Sequence, residues 1–317
     1  MRRIGGAAGA AVFLVCLVGG CGTQQASGDS PRSLPPVPPP RTGIALPLDG
    51  YRPSPDEQAR SDRAQATLER ACLAHFGLDW EGPEESALEF GSRSIASERV
   101  ARFGVVDRDQ AARHGYQPPP WSTRNPRVRA ALAQHHHDTP PEVKKVLYGL
   151  APEYGGRRVP TGGCRAKAAR QLMRGVPQAD RSLPARLEKQ AMAASAQDPR
   201  LAAVGRAWTS CMERAGHRYA SPETAAHEPR WRDNGVPTEE ERAVAVADVR
   251  CQEETRYLPT LVNVTAERQR ELIGRHATEL GRLKRLMEIR ARNVAEALSA
   301  DPTAPSPPAA GEQGGSA

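Results

Sequence analysis

The stretch Trp208-Thr-Ser-Cys211-Met-Glu-Arg-Ala-Gly216-His-Arg-Tyr219-Ala-Ser-Pro222-Glu223 has an ungapped partner 139 residues earlier, Cys72-Leu-Ala-His-Phe-Gly77-Leu-Asp-Trp80-Glu-Gly-Pro83-Glu84. Both read Cys-[Leu/Met]-x3-Gly-x2-[Trp/Tyr]-x-[Gly/Ser]-Pro-Glu. A glycine accepts the left-handed conformation that ends a helix at low cost. The repeat therefore predicts two related units, residues 51–176 and 177–298, each built on a helix that carries a cysteine and stops at glycine. Trp80 lies just past the first stop, where it can fold back over the helix end.

Periodicity extends this reading outward. Ser54-Pro55-Asp56-Glu57 is a helix start with a capping box, after which Ala64, Leu68 and Cys72 recur every four residues. Asp107 and Gln110 form a second such start, with Gly115 as the stop. Arg127–His135 and Glu142–Leu150 read as short helices, and Cys164 opens a helix to about Arg174. In the second unit, Leu183–Ala196 is helical. Asp198-Pro199 then caps a helix that places Leu201, Val204, Trp208 and Cys211 on one face. Thr238 and Glu241 predict another capping box, with Ala243, Ala247 and Cys251 aligned behind it. A long helix is expected from Leu261 to Leu298, bent near Gly274. Its stripe is Leu272, Leu280, Leu283, Met287, Val294 and Leu298, with His276 as a half-buried packing residue. The stripe lacks strict heptads, so it predicts packing within its own domain rather than a coiled coil.

Hydrophobic residues make up 38% of the chain and aromatic residues 4%, which suits Ala-, Leu- and Val-rich helical cores better than a β-sandwich. The fold class is mainly α. The body is flanked by a Pro-rich segment at 21–50 and a tail at 299–317, both of disordered composition.

The first residues give an address. Met1-Arg2-Arg3 precedes a charge-free run from Ile4 to Gly20, the form of a secretory signal peptide. Its apolar centre is shorter than the ~20 residues that span a bilayer. It ends in Val18-Gly19-Gly20-Cys21, which resembles a bacterial lipobox. Residues 1–20 are then the signal and Cys21 is the lipidation site, carrying diacylglyceryl and palmitate-type chains that anchor the protein without spanning the membrane. The protein is expected on the extracytoplasmic face of the cell membrane. Cys16 leaves with the signal.

The mature chain keeps Cys72, Cys164, Cys211 and Cys251. An even number in an exported protein points to disulfides, and the absence of Cys-x2-Cys argues against zinc or thioredoxin-like sites. Four cysteines allow three pairings. The repeat favours Cys72 with Cys164 and Cys211 with Cys251, one bridge inside each unit.

Formal net charge is +7, falling to +5 once Arg2 and Arg3 are removed. Basic and acidic residues are interleaved, whereas nucleic-acid binders concentrate positive charge, so no nucleic-acid partner is expected. His135-His136-His137-Asp138 is the one cluster that invites a metal reading, with His114 as a helper. Adjacent helical residues point about 100° apart, so three consecutive histidines cannot share one ion on a helix. A polar helix end before Pro140 explains them as well, and no metal or cofactor is assigned. Glu239, Glu240 and Glu241 are explained by the helix N-terminus they open. Asp79, Glu84, Glu85, Glu223 and Glu228 lie near the repeat and are the carboxylates a glycan hydrolase would draw on. Gly-x-Ser-x-Gly, His-Glu-x2-His and Gly-x4-Gly-Lys motifs are absent, so no catalytic residue is assigned.

The chain resembles uncharacterised secreted lipoproteins of high-GC Gram-positive (actinobacterial) bacteria. The resemblance rests on Val18–Cys21, on Arg102-Phe-Gly-Val-Val-Asp107 with Ala111-Ala-Arg-His-Gly-Tyr116, on Trp208–Tyr219, and on Ala247-Asp248-Val249-x-Cys251-x3-Thr255 with the long helix after it. It covers most of residues 60–298. It implies an envelope location and a helical body, and no activity. The reading is a non-enzymatic envelope lipoprotein that binds another envelope protein. The alternatives are a metal- or small-ligand-binding lipoprotein using His135–Asp138, and a cell-wall hydrolase.

Overall fold

A computed structural model describes residues 44–82, 90–91, 93–94, 102–126, 128–130, 133, 139–231 and 236–300. The predicted signal, Cys21, the His135–Asp138 cluster, Glu84, Glu85 and the tail from 301 lie outside the described residues. So does most of the helix expected over Arg127–His135.

The structure is mainly α-helical. Helix α1, Pro55–Ala74, starts as the sequence requires: Ser54 Oγ accepts the Glu57 N–H, and Glu57 returns a carboxylate to the Ser54 N–H. Helix α2, Arg108–His114, is capped by Asp107, which accepts the Gln110 N–H. Helix α3, Pro141–Leu147, ends earlier than expected, leaving Leu150 exposed. A two-residue hairpin, β1 (Glu153–Tyr154) with β2 (Arg157–Arg158), leads to α4, Gly163–Leu172. The second unit holds α5 (Leu183–Ser195), α6 (Pro199–Arg214) and the short α7 (Pro222–Ala226). It continues through α8 (Glu239–Thr255), α9 (Tyr257–Arg275) and α10 (Ala277–Ser299).

The repeat is visible in three dimensions. Gly77 and Gly216 both take positive φ, 69° and 86°. In both, the residue after the glycine donates its N–H six-to-one back to the helix, Leu78 to Leu73 at 3.1 Å and His217 to Met212 at 2.9 Å. That is the Schellman closure. Trp80 packs against the core that contains Cys72 and Cys164, and Tyr219 against the core that contains Cys211 and Cys251. Both disulfides are formed, Cys72–Cys164 with Cα atoms 5.6 Å apart and Cys211–Cys251 with 5.7 Å. The first ties α1 to α4, the second α6 to α8.

The two sequence units exchange elements. Helix α10 leaves the second unit and packs on α1 and α4 of the first, where Ala64, Leu172, Val294 and Ala297 share a core. Helix α2 of the first unit packs on α8 of the second. Of the expected stripe, Leu280, Leu283 and Met287 pack in the core with Leu183 and Leu187, and Val294 and Leu298 in the one with Ala64 and Leu172.

Three expectations need correction. The long helix is two helices: α9 begins at Tyr257, after Arg256 in the left-handed conformation, and the break falls at His276 rather than Gly274. His276 is half-buried there and 3.8 Å from Glu279. The segment 21–50 is not wholly free of core. Pro47–Tyr51 forms a 3-10 turn, and Leu46 and Leu48 are buried, Leu48 among Leu183, Leu187, Leu280 and Leu283. Proline content masked the apolar alternation Ile44-x-Leu46-x-Leu48. The turn is fastened by the Leu48 N–H donating to Gln269 at 2.9 Å and by Arg102, which pairs with both Asp49 and Glu188. Finally, Ala247 and Cys251 pack in the core with Trp208 while Ala243 is exposed, so the aligned Ala243, Ala247 and Cys251 do not define the whole buried face of α8. Its buried face is Glu241, Val244, Ala245, Asp248, Val249, Cys251 and Gln252.

Candidate functional site

That buried face holds the most developed polar site among the described residues. Asp248 is 1% exposed. Its Oδ1 accepts from Trp208 Nε1 and from Gln252 Nε2, each at 2.9 Å, and its Oδ2 accepts from the Tyr116 hydroxyl at 3.1 Å. Gln252 also donates to the Val105 carbonyl at 3.2 Å. Two turns earlier, Glu241 is equally buried. Its Oε1 accepts the Tyr116 N–H at 2.9 Å, and the Gln117 amide lies within 3.2 Å of both carboxylate oxygens. The Gln117 amide also donates to the Trp231 carbonyl, and Tyr116 stacks on Trp231.

Local structure positions each group. Helix α2 ends at Gly115, whose positive φ turns the chain toward α8. A Cβ on Gly115 would stand 2.8–3.0 Å from the Glu241 carboxylate and Cγ, so the close approach itself demands glycine. The expected capping box at Thr238 forms by half. Thr238 Oγ1 accepts the Glu241 N–H at 3.0 Å, but the Glu241 side chain serves the 115–117 turn instead of its own helix end.

Burial, opposed by the hydrogen bonds from Gln252, Tyr116 and Trp208, pushes the Asp248 carboxyl up to about 6. Burial and the neighbouring Asp248 charge both raise the Tyr116 hydroxyl, which therefore stays protonated. The donors fix where a proton can bind. An indole N–H only donates, so Oδ1 remains an acceptor, and a proton on Asp248 goes to Oδ2, facing a Tyr116 hydroxyl that can turn to accept it. With its acceptors engaged and water excluded, the carboxylate serves as a tie between elements.

The remaining candidates are dispersed. Asp79 is an exposed residue past the Gly77 stop, Glu223 is exposed on α7, and Glu228 ion-pairs with Arg230 at 3.6 Å. His114 is half-buried, edge-on to Trp121, with its pKa lowered by burial and by Arg113. Among the described residues, no group of three or more His, Cys, Asp or Glu is placed to hold a metal ion. No helix among them is long and apolar enough to cross a membrane.

The hub was missed in the sequence because Glu241, Asp248 and Gln252 are polar residues and read as solvated. The available signal was their spacing of seven and four, which puts them on one helical face with Val244, Ala245 and Val249. Scans against family models, curated proteins and solved structures give no match to this chain.

Proposed function

We propose that the chain is an exported lipoprotein, anchored through lipid on Cys21, whose helical body is a non-enzymatic accessory module for another envelope protein. The observation that carries this is the pairing of Cys72, Cys164, Cys211 and Cys251 into two bridges, in a chain whose first 21 residues read as a signal and lipobox. Such disulfides persist in oxidising, extracytoplasmic compartments. The buried carboxylates support a non-catalytic body, since Asp248 and Glu241 spend their acceptors on tying turn 115–117 to α6 and α8.

The test is cross-linking in intact cells followed by identification of what the mature protein captures, alongside a turnover screen on cell-wall fragments. One dominant membrane or wall-associated partner and no turnover is the expected result. Turnover, or no partner despite efficient capture, overturns the accessory role.

A further inference from the structure

The positive charge that reads as dispersed along the sequence is concentrated in places. Residues 139–192 hold eleven Lys and Arg against four Asp and Glu, an excess of +7, which equals the formal net charge of the whole chain. Helix α4 lies within this segment. Its buried face is Cys164, Ala168 and Leu172, while Lys167, Arg170 and Arg174, just past its end, are exposed. At about 100° per residue those three fall within an arc of about 60°, centred about 130° round the helix from the buried one.

The face continues onto α10, which packs against α4. Arg174 pairs with Glu296 at 2.9 Å across the two helices. Arg292 and Arg285, one and three turns back from Glu296 along α10, are exposed on that same line, with Glu288 between them. Among the described residues, Lys167, Arg170, Arg285 and Arg292 have no acidic partner. The chain leading from Cys21 also enters the body beside α10: the Tyr51 ring lies under Lys284 Nζ, 4.9 Å from its centroid.

We infer that this basic face of α4 and α10 docks on a surface of anionic phospholipid. Basic side chains near such a surface each raise partition about fivefold at moderate salt. The inference rests on the proposed anchorage in one respect. Residues 22–43 span at most roughly 80 Å, so a lipid on Cys21 would hold the face within reach of its own leaflet and make docking intramolecular.

The test uses the full mature chain with Cys21→Ser, so that no lipid contributes, and vesicles of phosphatidylcholine with or without about 30% phosphatidylglycerol. Binding to the anionic vesicles only, lost in 0.5 M salt, is expected. K167E/R170E/R285E/R292E should lower partition at least 100-fold. R206E/R214E/R218E/R270E changes net charge equally at exposed sites elsewhere and should stay within about threefold of the parent. Circular dichroism and thiol titration show whether both variants are folded and oxidised. Equal binding to neutral vesicles, equal losses in the two variants, or retention by soluble polyglycerol phosphate without vesicle binding would overturn the inference. Palmitate labelling of the unmutated chain reports separately on anchorage, so either idea can fail while the other stands.

Discussion

The Tyr116 hydroxyl donates to Asp248 Oδ2 at 3.1 Å across 132 residues of chain, while the Tyr116 N–H donates to Glu241 at 2.9 Å. One residue of the first unit is thus held at both ends by two buried carboxylates of α8. This double hold, together with α10 on α1 and α4, makes the two sequence repeats one interleaved core.

Stability should fall as pH rises through this site. Asp248 has a native pKa of about 6 against an ordinary 3.8, raised mainly by burial. A carboxyl with a raised native pKa binds its proton more tightly when folded. Its contribution is fully present below pH 4 and lost as pH passes 6. Urea unfolding between pH 4 and 8 should show a loss on the order of 2–3 kcal/mol in the native chain. Asp248→Asn should remove that component; an unchanged pH slope in this variant would exclude Asp248 as its source.

Gly115→Ala and Gly77→Ala should separate two uses of glycine. Both have positive φ, but a Cβ on Gly77 meets nothing within 4 Å, whereas one on Gly115 meets Glu241. Gly77→Ala should cost only the backbone strain, about 1 kcal/mol. Gly115→Ala must also displace a buried, hydrogen-bonded carboxylate, so a total of about 2–4 kcal/mol is expected. Equal midpoint shifts in urea would show that the 115–241 contact carries no energy.

Removing each bridge should destabilise by a similar amount. Sequence separations of 92 and 40 give about 4–5 kcal/mol for Cys72–Cys164 and about 4 kcal/mol for Cys211–Cys251 in the chain-entropy model. Paired Cys→Ser variants, compared with the oxidised parent in denaturant, measure both. A bridge whose loss leaves the midpoint unmoved is not part of the folded state's support.

Leu48→Ala should cost about 2–5 kcal/mol, the range for a fully buried leucine, although it lies in a segment whose composition reads as linker. Limited proteolysis gives the same information: cleavage should spare residues 46–52 in the parent and reach them in the variant. A variant as stable and as resistant as the parent would return the segment to the tether.

Much of the architecture was legible because it rests on local rules. Ser54 and Asp198 cap the helices they precede, Gly77 and Gly216 end theirs, and the cysteine pairing follows from the repeat. What could not be read depends on long-range packing. Leu46 and Leu48 gain their environment from α5, α9 and α10, far along the chain. Glu241 and Asp248 are buried because Tyr116 and Trp208 bring donors to them, and nothing local to α8 announces those donors. The break at His276 follows no proline. The candidate metal cluster His135–Asp138 and the expected lipidation site Cys21 lie outside the described residues.

Anchorage is tested most directly by palmitate labelling and fractionation of the full chain expressed in a bacterium that processes lipoproteins, beside its Cys21→Ser variant. A labelled protein in the membrane fraction whose mature N-terminus is Cys21, and an unlabelled variant, are expected. An unlabelled parent, or one whose label survives the loss of Cys21, would contradict it.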